Sequence, residues 1–260
     1  MKKLISYDAG ALHKEIMWRT RARFDTDSVR ARKSRPSCAA QIFANQKLKY
    51  NKLELMLAAN IRPGDVVGVL TYRDDALPGC RRDVLNDLAY FRRKVKAQYD
   101  AWGIELRMIW CIEGSHGEPG HENRPRYHIH FVGPRTHGLE AVLESSWRKG
   151  LVLQTSFEVD ARRWARKLHI KERYLHPNAD GTYLGYEPLA RYMCKESSEE
   201  NSVRTWSYTR ACFKPVFDMR DVPDDYKIRR PRSCIALKDA HESSTGYEEI
   251  KYLSLAELDV

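Results

Sequence analysis

The chain has 260 residues, 42% hydrophobic and 31% charged, with a formal net charge of +10. No apolar run reaches the roughly 20 residues of a membrane span, and no apolar stretch follows the charged start, which argues against a membrane helix and a secretory signal. The six cysteines form no Cys-x-x-Cys pair and are too sparse for a disulfide framework, so reduced thiols in a cytoplasm are expected.

The charge is uneven along the chain. Residues 1 to 38 carry ten Lys/Arg against four Asp/Glu, which reads as a basic arm suited to a phosphate backbone. The following stretch, CAAQIFANQKLKYNKLELMLAAN, predicts a helix that stops at the Pro-Gly turn of RPGD. Three segments are therefore expected: a basic, helical N-terminal segment over 1–60, a central domain over 61–215, and an extension over 216–260. The last 23 residues, with two Lys/Arg against six Asp/Glu, read as a solvated acidic tail.

Within the central domain, VVGVLTYRDD reads as a strand and DVLNDLAYFRRKVKAQYDAWG as a helix. In that helix Val84, Leu88, Phe91 and Val95 keep the three-four spacing of a buried face, and Gly103 suits the stop. IELRMIWCIEG is the next strand. Leu106, Met108, Trp110 and Ile112 share its core face, which leaves Glu113 on the other.

After a loop, RPRYHIHFVG alternates again: Tyr127, Ile129 and Phe131 face the core while His128 and His130 share the opposite side. Two such strands joined by a loop predict an antiparallel pair that brings Glu113 beside both histidines. Two imidazoles and a carboxylate suit Mn²⁺ or Mg²⁺ acting on a phosphate, with positions left for water and substrate. His116 and His121, in the intervening loop, are rival ligands. Further on, YEPLARYMCKESSEE reads as a short helix entered through Pro188, with Tyr192 and Lys195 three residues apart on one face. A phenol needs help to act as a nucleophile at neutral pH, and a metal-polarised phosphate beside an ammonium supplies it.

Taken in order, VLTYRDDALP, WCIEG with RPRYHIHFVG, WRKGLV, LARYMCKE and TWSYTRACFKP resemble the motifs of the HUH endonucleases, in particular rolling-circle replication initiators of phages and plasmids. The resemblance covers roughly residues 60 to 215. It implies an α+β fold in which a central antiparallel sheet, ferredoxin-like, carries core helices on one face and the metal site on the other. It also implies that Glu113, His128 and His130 hold Mn²⁺ or Mg²⁺, that Tyr192 is the catalytic tyrosine and that Lys195 assists it. Pro188 stands one turn before Tyr192, where many relatives carry another tyrosine, so a single nucleophile is expected, with Tyr183, Tyr186 and Tyr208 as rivals.

The implied reaction nicks and rejoins single-stranded or hairpin origin DNA through a 5′-phosphotyrosine. Arg92, Arg93, Arg124 and Arg126 are candidates for holding the backbone. A host replication helicase and polymerase would be partners, in the cytoplasm of a bacterial host, with no membrane involved. No Gly-x-x-x-x-Gly-Lys-Ser/Thr motif is present, so no fused helicase is expected. The alternatives are a non-catalytic module for single-stranded nucleic acid, and a transposase or relaxase of the same superfamily.

Overall fold

In a computed structural model, the description covers residues 1–20, 39–115, 126–178, 180–195, 206–229, 232–242 and 246–258. These residues form an α+β fold with two five-stranded antiparallel sheets. The sheet that carries the histidines is built from β3 (Val66–Leu70), β4 (Ile109–Ser115), β5 (Arg126–Gly133), β6 (Val152–Ser156) and β7 (Trp206–Tyr208). Its order is β6-β3-β5-β4-β7. Helix α2 (Arg81–Ala101) links β3 to β4, and α3 (Leu139–Ser146) links β5 to β6. The first four strands with these two helices are the split β-α-β of a ferredoxin-like domain, and β7 adds a fifth strand beside β4.

The α2 stretch folds as its periodicity requires. Asp83 accepts hydrogen bonds from the backbone N–H groups of Gly79 and Cys80, satisfying donors that the first turn leaves free. Val84, Leu88, Phe91, Val95 and Tyr99 are buried, and Gly103, at φ +71°, ends the helix. This face packs on Trp110, Ile112, Ile129 and Phe131 of the sheet to form one core. The WRKGLV glycine also has a packing reason. A Cβ on Gly150 would lie 2.0 Å from the backbone oxygen of Thr71, where this loop crosses the end of β3. Gly150→Ala is expected to destabilise the fold by about 1–3 kcal/mol, read as a lower denaturation midpoint in urea.

The second sheet has the order β8-β1-β2-β10-β9. It comprises β1 (Lys2–Ala9), β2 (Leu12–Arg19), β8 (Val216–Val222), β9 (Cys234–Glu242) and β10 (Tyr247–Ser254). The expected helical character of residues 1–60 therefore holds for α1 (Ala39–Asn60) and not for the first 19 residues. Those residues form a hairpin in which Ala9 faces Leu12 across a two-residue turn. Gly10 sits there at φ +63°, and its N–H is held by the Asp8 carboxylate. Residues 21–38, with most of the basic run, lie outside the described residues.

The expected solvated tail is also corrected. Residues 247–254 are the strand β10, paired on both sides, with Ile250 and Leu253 buried. The acidic count misleads because Glu249 is buried in ion pairs with Lys14 and Lys238. Burial pushes its carboxyl up, but those lysines and Tyr247 outweigh it and hold it at about 2.

Helices α1, α4 (Ala161–Lys167) and α5 (Glu187–Met193) lie between the two sheets. Their core joins Leu12 and Leu253 of one sheet to Val67, Ile109, Cys111 and Val132 of the other. The histidine face of the first sheet is thus covered by a second layer. Among the described residues, no helix is long and apolar enough to cross a membrane.

Candidate active site

The period-two reading of β4 and β5 places the candidate ligands. The two strands are antiparallel, with Glu113 directly opposite His128 and Cys111 opposite His130. The core face carries Trp110, Ile112, Ile129 and Phe131, so Glu113, His128 and His130 project to the other side. Glu113 Oε2 lies 2.7 Å from His130 Nε2. Its other oxygen accepts from Lys195 Nζ at 2.6 Å.

Tyr192 closes the group from above. Its ring meets the His130 imidazole edge-on at 5.1 Å between centroids. The Lys195 ammonium lies 4.3 Å from the Tyr192 ring centroid. Pro188 sits in the first turn of α5, as the sequence suggests, but the helix ends at Met193. Lys195 follows it in a turn closed by its N–H to the Tyr192 carbonyl, and the pair still converges.

The electrostatics follow from this packing. Burial would push the Glu113 carboxyl up; the hydrogen bonds and charges of His130 and Lys195 outweigh it and hold it at about 2. Glu113 is therefore an anion throughout the physiological range. Burial depresses the His128 pKa, with further lowering by the nearby His130, Lys195 and Arg126, against a raising pull from Glu113. A neutral imidazole there is the form that donates a lone pair to a cation.

The donor set, two imidazoles and a carboxylate, is one that a divalent transition ion such as Mn²⁺ can accept. In this arrangement the carboxylate is closed on His130 and Lys195. Among the described residues no three His, Cys, Asp or Glu side chains already stand as a ligand group.

Other candidates are placed differently. Arg126 is paired with Asp74, an acidic residue of the VLTYRDDALP stretch. Arg92 stacks on Trp110 at 4.0 Å, and Arg93 lies over Tyr90 on the same helix. Because Trp110 belongs to the opposite face of the sheet, the structure does not bring Arg92 or Arg93 to the Glu113–Tyr192 group. Arg124, His116 and His121 lie outside the described residues. Among the rival tyrosines, Tyr186 is fully buried, with its hydroxyl donating to the Ile61 carbonyl. Tyr208 sits on β7 opposite Ile109, and the ring of Tyr183 carries the Arg162 guanidinium.

Two aromatic residues that the sequence does not single out complete the walls. Tyr174, in a 3-10 turn at Glu172–Tyr174, has the Lys195 ammonium 4.4 Å from its ring centroid. Its ring and that of Trp164, from α4, flank Tyr192 at 6.1 and 6.3 Å. Neither lies in a periodic pattern with Tyr192, and only the tertiary fold joins them. Comparison with protein families, characterised proteins and solved structures returns no match to this chain.

Proposed function

We propose that this protein is a metal-dependent DNA strand transferase with a tyrosine nucleophile, a rolling-circle initiator of the HUH type. The observation that carries the reading is the convergence of Tyr192 and Lys195 on the Glu113–His130 pair, from elements far apart in the chain. Glu113, His128 and His130 are the residues that would hold a divalent cation, which would supply Lewis-acid polarisation of the scissile phosphate.

The remaining chemistry belongs to the chain's own side chains. The Tyr192 hydroxyl gives up its proton and its oxygen forms a bond to phosphorus. The bond from phosphorus to the 3′-oxygen breaks, and that oxygen takes a proton to leave as a 3′-hydroxyl. The 5′-phosphotyrosine keeps the phosphodiester's energy, so the reverse step rejoins ends without ATP. Lys195, beside both the ring and the carboxylate, stabilises the negative charge that develops on the phenol oxygen. The substrate is single-stranded or hairpin-extruded origin DNA, met in a bacterial cytoplasm together with a host helicase and polymerase.

One observation favours the alternative of a non-catalytic single-strand-binding module: the Glu113 carboxylate is already satisfied by His130 and Lys195. Incubation with pooled single-stranded DNA and Mn²⁺ decides between them. A covalent protein–DNA adduct is expected, and its absence across metals and sequences would leave the binding module standing. Glu113→Ala is further expected to raise the Mn²⁺ needed for half-maximal adduct formation by at least about tenfold, as loss of one of three ligands should. An unchanged metal titration would remove Glu113 from the site.

A further inference from the structure

A cleft of about 270 Å³ opens between α1, α5 and the inner face of the second sheet. It adjoins the candidate active site along two paths. Arg191, which lines it, immediately precedes Tyr192 on α5. The loop that leaves Tyr174 forms its wall at Pro177 and Asn178.

Its chemistry is that of a phosphate with an aromatic neighbour. Five cationic side chains line it, Lys14, Lys47, Arg191, Lys238 and Lys251, against the carboxylates of Glu187 and Glu249. Counting Glu54, buried behind Lys251, still leaves a positive surplus. Lys14, Lys238, Lys251 and Arg191 are anchored in ion pairs, which fixes the wall. Lys47 differs: among the described residues it has no carboxylate partner, and it is exposed. One turn before it on the same face of α1, Phe43 lies on the rim with 68% of its surface exposed. Deeper in, the Arg191 guanidinium stacks on Tyr50 at 3.9 Å and donates to the Tyr50 hydroxyl and to the Glu187 carboxylate. An exposed aromatic beside an unpaired lysine, at the mouth of a positive cleft, is how proteins hold unpaired nucleotides: base on ring, phosphate on ammonium.

The geometry points to this cleft as a binding subsite for a nucleotide of the single strand whose phosphate is presented to Tyr192, with the base on Phe43 and the backbone phosphate on Lys47. The assignment of the strand to Tyr192 rests on the function proposed above; the nucleotide chemistry of the cleft does not.

The test uses the full chain carrying Tyr192→Phe, without metal, so that binding is read apart from cleavage. Affinity for a fluorescent short oligo(dT) is measured over a series of salt concentrations. Phe43→Ala is expected to weaken it about tenfold, within the range of one lost base–aromatic stack. Lys47→Ala is expected to weaken it and to lower the salt slope by about 0.7, one phosphate contact on a single strand. Lys96→Ala, an exposed lysine on α2 that pairs with Asp100, is the control and should change neither.

Unchanged binding in both cleft variants, or an equal loss in the control, would overturn the assignment. Thymidine monophosphate should bind at least about tenfold more weakly than oligo(dT), since it offers one phosphate and no chain. Equal affinity would overturn the strand subsite in favour of a free-nucleotide site. Absence of a covalent adduct in the wild-type protein would sink the proposed reaction and leave this binding result readable.

Discussion

Tyr192→Phe is expected to abolish covalent attachment to DNA, by at least about three orders of magnitude, while the protein stays folded. Loss of a nucleophile acts on that scale or above because the remaining groups cannot form the bond in its place. The substitution removes one oxygen and keeps the ring. The contacts to His130, Tyr174 and Trp164 are ring contacts at 5.1, 6.1 and 6.3 Å, so they survive. Stability should therefore change by no more than about 1 kcal/mol, the worth of an ordinary hydrogen bond.

The structure sharpens the choice of rival. Tyr174 is a second phenol against the same ammonium, with Lys195 Nζ at 4.4 Å from its ring centroid and 4.3 Å from that of Tyr192. Its hydroxyl is engaged by Arg173 at 2.9 Å. Mass spectrometry of the trapped wild-type adduct should place the nucleotide on a peptide containing Tyr192. A nucleotide on Tyr174, or an adduct formed by the Tyr192→Phe protein, would move the nucleophile to the other side of Lys195.

The second large effect concerns stability. Lys251→Met is expected to destabilise the protein by about 3–5 kcal/mol at neutral pH, as removal of one partner from a buried ion pair does. Lys251 lies between Glu54 of α1, at 2.9 Å, and Glu187 of α5, and Glu54 is 1% exposed. Without the ammonium the buried Glu54 carboxylate faces that of Glu187 with no cation between them.

The pH dependence fixes the sign. Burial raises the Glu54 pKa above the ordinary carboxylate value of 4.5 even with Lys251 present, and the neighbouring Glu187 raises it further. A group with a raised folded-state pKa contributes most when protonated, so the variant's deficit should be smallest below about pH 4.5 and grow as pH rises. Glu249 acts in the opposite sense: held at about 2 against 4.5, it stabilises the fold above pH 4.5 and loses that contribution as pH falls toward 2. Urea unfolding over this pH range measures both. A loss below about 1 kcal/mol at pH 7, or one that shrinks as pH rises, would show that Lys251 does not neutralise this cluster.

What could be read from the sequence follows from how strongly each segment alternates. The β4–β5 pair was legible because Leu106 to Ile112 and Tyr127 to Phe131 keep period two, which puts Glu113, His128 and His130 on one face; the register that sets Glu113 across from His128 is seen only in the sheet. The helix α2 was legible for the same reason at period 3.6. The second sheet was not, because its inner face is partly ionic. Lys14, Glu249 and Lys251 occupy core-facing positions, and a run of charge reads as a wet surface unless its partners across the sheet are known. Tyr174 and Trp164 had no local signal, since only the chain's path around α5 brings them to Tyr192.

The pairing of β2 with β10 has a consequence for biosynthesis. A chain leaves the ribosome N-terminus first. All four strands of the ferredoxin-like unit have emerged by residue 156, whereas the β1–β2 hairpin must wait for residues 216–254 to gain its neighbours. A two-stranded hairpin alone is marginal in water, so the first residues made are among the last to find a stable place. The helix bearing Tyr192 shares that delay, because its Glu187 is fastened to Lys251. A translation product that stops short of β10 would carry every residue of the proposed reaction and lack the ion pair that ties the Tyr192 helix to the second sheet.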